Sequence, residues 1–475
     1  MHFVRAVSTF VCVWAATALH STLANLENLS LKDVPQAVVN SGVLNDAVVF
    51  GYTYESMLDS SKIPWSSLTH LVLAFFQVSS SGNVTVANNN LQYIVGSAHK
   101  NGVKVIASIG GSDVGSAGLA SALGDEAASA RLTLSVIDNI RQHNLDGIDY
   151  DYEFPENTNQ VQGLYLALRS ARAALDSTFG KGKKVLTTTL FSSKGQFGPN
   201  VPKVDSKPFS DIVDYGLLMS YDYFGSFSEI SAPNSPFYDV PGYPGLSFTS
   251  SISAWLDAGW DPKKLVAGLA YYGRTAIVGV GSAGKSQFMV NSGAAPPSGP
   301  VNKIAGAWTW SDLRDPQNGA LIAPSEANQG WQRFWDKTTE TPWLLHNVSQ
   351  TYIGYDDMDS LTIKANHIIT NGLVGAMVWM VQYDFDLELN SVIQNYSAAC
   401  SRIAQQALAD SEAPLLESVS LADDKDSDSN SASENGERAT ELSITPYIVH
   451  TSGSSGSLYH LPMLMMFAAL TFSMF

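Results

Sequence analysis

Cysteine is almost missing from this chain. Its 475 residues hold two, Cys12 and Cys400. Cys12 falls in an apolar leader, so the mature chain keeps one thiol and no internal disulfide. A large hydrophobic core must then hold the domain, and at 45% hydrophobic residues there is enough for one. Positive charge is scarce too: 27 Lys and Arg stand against 44 Asp and Glu, a net charge of −17. Such a chain has no general electrostatic route onto nucleic acid or an anionic membrane. Long apolar runs are lacking as well. Both terminal runs fall short of the roughly 20 residues that a membrane-spanning helix needs.

The termini read as address labels. "MHFVRAVSTFVCVWAATALHSTLAN" has Arg5 ahead of an apolar run, with small residues from Ala18 to Ala24. This predicts a secretory signal peptide over residues 1–24. Four N-x-S/T sequons, at Asn28, Asn83, Asn347 and Asn395, suit a secreted surface. After Cys400 the chain turns acidic and Ser-rich, which predicts a disordered stalk over 401–457. The tail 458–475 ends in "LPMLMMFAALTFSMF" behind "TSGSSGS", the pattern of a GPI-anchor signal. The expected place is therefore outside the cell, at the surface or wall, with the membrane reached only through the anchor.

Between Val48 and Val381 lie eight short β-type runs: "VVFGYTY", "HLVLAFF", "KVIASIGG", "GIDYDYE", "KVLTTTLF", "DYGLLMSYD", "KLVAGLAYYG" and "GLVGAMVWMV". Most are apolar throughout rather than alternating, as in strands buried on both faces. Helix-compatible stretches such as "NNNLQYIVGSAHKNG" and "DEAASARLTLSVIDNIRQHN" separate them. Eight such repeats over 45–400 predict an α/β fold, the (β/α)8 TIM barrel; an open doubly wound sheet is the alternative. About 100 residues separate the seventh run from the eighth and hold Trp308, Trp310, Trp331, Trp335, Trp343 and the strand-like "TYIGYDDMDS". They predict a small α+β insertion over about 275–365.

"LDGIDYDYEFPE" packs Asp146, Asp149, Asp151 and Glu153 into eight positions among large apolar residues. Side chains alternate along a strand, so Asp149, Asp151 and Glu153 share a face, roughly 6.6 Å apart. In a barrel that face points inward, with Glu153 nearest the C-terminal mouth where active sites lie. A carboxyl crowded by like charges is pushed toward its protonated form, the form a general acid needs. A Ca²⁺ loop is excluded, because Phe154 and Gln160 occupy the places of its Gly and bidentate Glu. A solvated acidic face conflicts with the interleaved Ile148, Tyr150, Tyr152 and Phe154. "GVGSAGKS", Gly279 to Ser286, fits the P-loop spacing, but "QFMVNSGAAPPSGP" behind it predicts no helix, which leaves a loop.

"DGIDYDYE" resembles the D-x-x-D-x-D-x-E signature of glycoside hydrolase family 18, the chitinase family. "SIGG" at Ser108 to Gly111, "MSYD" at Met219 to Asp222, "GLAYYGR" at Gly268 to Arg274, "VWMVQYD" with Trp379 and "TYIGYDDMDSL" resemble its other segments in order. The resemblance implies hydrolysis of β-1,4-linked N-acetylglucosamine with retention, assisted by the substrate's own acetamido group. It implies Glu153 as proton donor and Asp151 as the group that orients the acetamide, with Asp149 hydrogen-bonded to Asp151. Tyr221 would donate to the acetamide oxygen, and Asp222 would line that pocket. Ser108, Gly110 and Gly111 join the implied sugar site, with Tyr52, Phe75, Met219, Tyr272, Arg274 and Trp379 as its walls. It implies no metal or cofactor, no nucleic-acid partner, and a monomer whose partner is chitin or a chitooligosaccharide. Two departures stand out: Tyr152 replaces a frequent Trp, and Ser112 after "SIGG" leaves an acceptor-side aromatic platform in doubt. A non-catalytic chitin lectin on the same barrel and an endoglycosidase acting on N-glycans are the competing functions.

Overall fold

The computed structural model describes residues 26–54, 63–87, 90–112, 114–193, 195–279 and 286–423. Eight strands close into a barrel: β1 (Val48–Tyr54), β2 (His70–Val78), β3 (Lys104–Gly111), β4 (Gly147–Tyr152), β5 (Val185–Leu190), β6 (Tyr215–Leu218), β7 (Leu265–Ala270) and β8 (Gly375–Trp379). Every neighbouring pair is parallel, and β1 pairs with both β2 and β8. The closed ring leaves no edge, and β4, β5 and β7 are buried at every residue, as their apolar runs require.

The helices between the strands follow the sequence closely. Leu91–Lys100 and Glu126–His143 lie inside the two stretches expected to be helical. The second begins where the Asp125 side chain accepts from Ala128 N at 2.7 Å, and it ends at Asn144 in the left-handed region. Asp146, between that helix and β4, accepts from Val105 N at 2.8 Å and pairs with His99 at 2.7 Å. It is a fastener at the N-terminal end of the strands, away from the other acids of its segment.

The insertion between β7 and β8 starts at Tyr272, with only Tyr271 between it and the end of β7. Five antiparallel strands, in the order Ala307–Thr309, Tyr272–Ile277, Thr351–Gly354, Thr341–His346 and Trp331–Asp336, make its sheet. One layer of it has its own small core of Val278, Met289, Trp343, Leu345 and Tyr352, while Trp310, Leu344, Ile353 and Tyr355 join the barrel core. The chain returns to β8 through the helix Met358–Thr370, capped by Asp357. Of the P-loop-like segment, positions 280–285 lie outside the described residues. No helix begins between Ser286 and Thr309, so the phosphate-cradling context is missing.

The barrel unit is larger than 45–400. Leu26, Leu29, Val34, Val43 and Leu44 are buried against the barrel core. The stretch from 401, expected to be disordered, is helical as far as Asp423: the last helix runs Glu388–Asp423. Two physical reasons are plain in its first turns past Cys400. Ile403 is fully buried, and Arg402 Nη2 donates to Leu26 O at 2.7 Å and Leu29 O at 2.9 Å. Contacts divide the chain into residues 1–415 and 416–475, and of the second unit only 416–423, the end of that helix, are described. The signal segment 1–24, the rest of the stalk and the tail 458–475 lie outside the described residues. Among the described residues no helix is long and apolar enough to cross a membrane.

Candidate active site

β4 delivers Asp149 and Asp151 into the barrel, and the chain leaves the strand at Glu153. Asp149 is fully buried, and three hydroxyls donate to it: Tyr52 at 2.8 Å, Ser108 at 2.6 Å and Thr187 at 2.7 Å. They come from β1, β3 and β5, so the barrel itself builds the cage. Burial raises the Asp149 pKa, and the three hydroxyls oppose that rise. Asp151 accepts from Thr189 Oγ1 at 2.8 Å and hydrogen-bonds Glu153. This differs from the expected Asp149–Asp151 hydrogen bond. Tyr52 and Ser108 donate to Asp149 Oδ2 and Thr187 to Oδ1, while the Asp151 carboxyl pairs with Glu153 instead. Two carboxyl groups sharing a hydrogen bond must hold a proton between them. Burial first, then the charges of Glu153 and Asp149, lift the Asp151 pKa well above the ordinary carboxylate range.

That shift has a consequence for stability. A carboxyl raised on folding supports the fold in full only below its unfolded pKa of about 3.9, and this support is lost as pH rises through the folded value. Asp151→Asn should therefore melt on the order of a few degrees above the native protein at neutral pH. The gain should shrink toward pH 4. Melting curves from pH 4 to 8 check this; a gain that grows on acidification would contradict it.

Glu153 is tied from its backbone. Its N–H donates to Ser116 Oγ at 2.8 Å, and the Ser116 hydroxyl donates to Gly111 O. Gly110 and Gly111 act through space rather than contact. Both have positive φ; a Cβ on Gly110 would meet Asp151 O at 2.0 Å, and one on Gly111 the Phe75 ring at 2.7 Å. Ser108 is wholly buried beneath Asp149, so it supports the acid and reaches no open surface.

On the opposite side, Tyr221 and Asp222 follow β6. Burial, then the charges of Asp151, Glu153, Asp222 and Asp149, keep the Tyr221 phenol protonated and hence a donor. Its Oη lies 3.6 Å from Met377 Sδ. Asp222 takes Tyr272 Oη at 2.7 Å and both Arg274 Nε and Nη2 at 2.6 Å. This bidentate pair fixes the carboxylate plane. Met219, next to the turn, is nearly buried. Trp379 ends β8 within 5.9 Å of Phe75, nearly parallel to it, and 5.4 Å from Tyr52.

Several members of the site were not singled out in the sequence. Tyr54 meets Trp379 edge-on at 5.7 Å, and burial, then the charges of Glu153 and Asp151, raise the pKa of its phenol. It stands two residues after Tyr52, so strand parity would have found it. Thr187 and Thr189 share a parity in β5 in the same way. Phe227 is 56% exposed, with its ring 6.0 Å from the Arg274 guanidinium. Only its loop conformation, with Gly225 beneath the ring, puts an aromatic surface there. Ser112 is exposed and offers none.

A parallel (β/α)8 barrel with a row of carboxyls climbing from the buried Asp149 and Asp151 to Glu153 at its C-terminal mouth, ringed by aromatics, is the arrangement of a barrel glycoside hydrolase. The sequence family of glycosyl hydrolases family 18 matches residues 48–384, and the chain belongs to that family. It is similar to chitinase A1 of Niallia circulans, 30% identical over 283 residues, which cover 55% of this chain and 37% of that one. A chitinase-like effector of Moniliophthora roreri is 25% identical, over 68% of this chain and 86% of the other. Endochitinase of Manduca sexta is 24% identical, over 68% of this chain; the chain thus spans 37% and 59% of the two named chitinases. Among solved structures, a chitinase from Rhizomucor miehei superposes with a TM-score of 0.65 at 23% identity, covering 74% of this chain and 99% of the other. A class V chitinase from Nicotiana tobaccum in complex with NAG4 gives 0.64 at 22% identity, over 74% and 99%. These likenesses establish the fold.

Proposed function

We propose that this protein is a chitinase that cleaves β-1,4-linked N-acetylglucosamine chains with retention, using the substrate's acetamido oxygen as nucleophile. The observation that carries it is the Asp151–Glu153 hydrogen bond above the caged Asp149. It presents a shared proton at the mouth, and among the described residues the carboxyl beside Glu153, Asp151, is engaged in that hydrogen bond rather than poised to attack carbon. In this reading Glu153 gives its proton to the glycosidic oxygen as the bond to the anomeric carbon breaks. The acetamide oxygen closes on that carbon and forms an oxazolinium ion. Asp151, released from Glu153, turns to the acetamide N–H and balances the positive charge, and Tyr221 donates to the acetamide oxygen. Water then adds to the anomeric carbon, returning its proton to Glu153. Trp379, Phe75 and Tyr54 supply an apolar floor for the sugar ring. Phe227 offers a stacking face that Ser112 does not.

The reading extends to place. The leader and the apolar tail support an enzyme exported and held at the cell surface, acting on wall polymer beside its own membrane. One experiment addresses both parts. Intact cells are treated with phosphatidylinositol-specific phospholipase C, and the medium is assayed on soluble chitooligosaccharides and on an N-glycoprotein. Release of activity that cuts the oligosaccharides is expected. Cleavage of the N-glycoprotein alone would favour the endoglycosidase reading. Binding without cleavage would favour a lectin. A membrane-bound form that still contains "LPMLMMFAALTFSMF" by mass spectrometry would rule out the lipid anchor.

A further inference from the structure

Asp222 sits in the left-handed region, at φ 61°. Asp tolerates that region better than most L-residues, and here its surroundings hold it there. Its N–H donates to Asn234 Oδ1 at 3.0 Å, and the N–H of Tyr223 donates to Asn234 O at 3.1 Å. Asn234 is fully buried and also donates from Nδ2 to Tyr272 O at 2.9 Å. One side chain thus fixes the backbone of Asp222 and of the tyrosine whose hydroxyl reaches the Asp222 carboxylate. The next residue, Ser235, donates from Oγ to Ser220 O at 2.7 Å, on the other side of Tyr221. Asn234 and Ser235 therefore grip the Ser220–Tyr223 turn at both ends.

Something must hold the grip. Lys364, on the helix Met358–Thr370, donates from Nζ to Ser235 O and Ser235 Oγ, both at 2.7 Å. It also meets both Asp356 oxygens at 2.7 Å, and neither side chain is exposed. Ser360 Oγ donates to Asp356 Oδ1 at 2.7 Å. Burial lowers the Lys364 pKa and Asp356 opposes that. A dry ion pair is weak evidence for stability, since apolar residues of similar size often serve as well. Here two of its contacts, both from Lys364 Nζ, lead through Ser235 to the turn that carries Tyr221 and Asp222.

We infer that Lys364, oriented by Asp356, is a positioning residue for the Tyr221–Asp222 turn, acting through Ser235 and Asn234. The insertion and its return helix then set the geometry of the acetamide pocket from behind the barrel wall. The kinetic part of this inference rests on the chitinase reading; the geometric part does not.

The test uses the full chain with two variants, Ser235→Ala and the paired change Lys364→Met with Asp356→Leu. The pair removes both charges together and leaves no ion stranded. Each is measured for kcat and KM on chitotetraose, for melting temperature, and by crystal structure. A displacement of about 1 Å at a reacting group is enough for a rate loss on the order of tenfold to a hundredfold. The expected result is such a loss in kcat, with KM within about threefold and the fold retained. In the crystals the Asp222 carboxylate should leave its bonds to Tyr272 and Arg274. If the native protein cleaves chitotetraose and both variants keep kcat within about twofold, the inference is overturned while the chitinase reading stands. If the native protein does not cleave it, that reading fails and the crystals decide alone. Asp222 still bonded to Asn234, Tyr272 and Arg274 in both variants overturns the positioning role.

Discussion

Glu153→Gln should fold and bind chitooligosaccharides as the native protein does, yet lose turnover by about a hundredfold to ten-thousandfold. The substitution keeps the shape of the side chain and leaves its N–H on Ser116 Oγ undisturbed. An amide can still hydrogen-bond Asp151, so the carboxyl row keeps its arrangement. What is lost is a transferable proton. Among the described residues, two nearby carboxyls are held in ways that keep them from replacing it. Asp149 is sealed under three hydroxyls, and Asp222 is locked to Arg274. Steady-state kinetics and calorimetric titration of the same variant check the two halves. More than about a tenth of native kcat would place the acid elsewhere.

An oligosaccharide without the N-acetyl group on the sugar being cleaved should be inert, with a rate lower by several orders of magnitude. The carboxyl paired with Glu153 is Asp151, hydrogen-bonded to it and buried, which is no stance for a protein nucleophile. The acetamide is part of the bound sugar, so its attack is intramolecular and gains the advantage of proximity. Two displacements at one carbon restore its configuration. NMR of the first turnovers should show the β-anomer appearing ahead of mutarotation. An early α-anomer, or cleavage of the deacetylated substrate at a comparable rate, would require a different nucleophile.

What the sequence disclosed was what strand periodicity encodes. Asp149, Asp151 and Glu153 could be placed on one face by counting, and the strands of the barrel and the helices Leu91–Lys100 and Glu126–His143 were visible as apolar runs and caps. What periodicity does not encode is contact between distant loops. Ser116 reaches Glu153 across 37 positions, and Lys364 reaches Ser235 across 129. No local pattern links such pairs. Phe227 could not be told from a core phenylalanine, because its exposure is set by the loop around Gly225. Past Cys400, the helix that runs as far as Asp423 was hidden for a different reason. The average composition there, acidic and Ser-rich, masked a local "SRIAQQALADSE" full of helix formers. The buried Leu26 and Leu29 that receive Arg402 follow no repeat at all.

The hydroxyl cage around Asp149 also bears on reorganisation. In water, dipoles must swing round each time charge moves, and that swing is a large part of the barrier. Here Tyr52, Ser108 and Thr187 are fixed to three different strands of a closed ring, and their O–H bonds already face the carboxylate before any sugar arrives. Solvent cannot scramble them, since Asp149 has no exposed surface. The orientation was settled when the barrel folded, and the reacting sugar meets a field that has no need to relax.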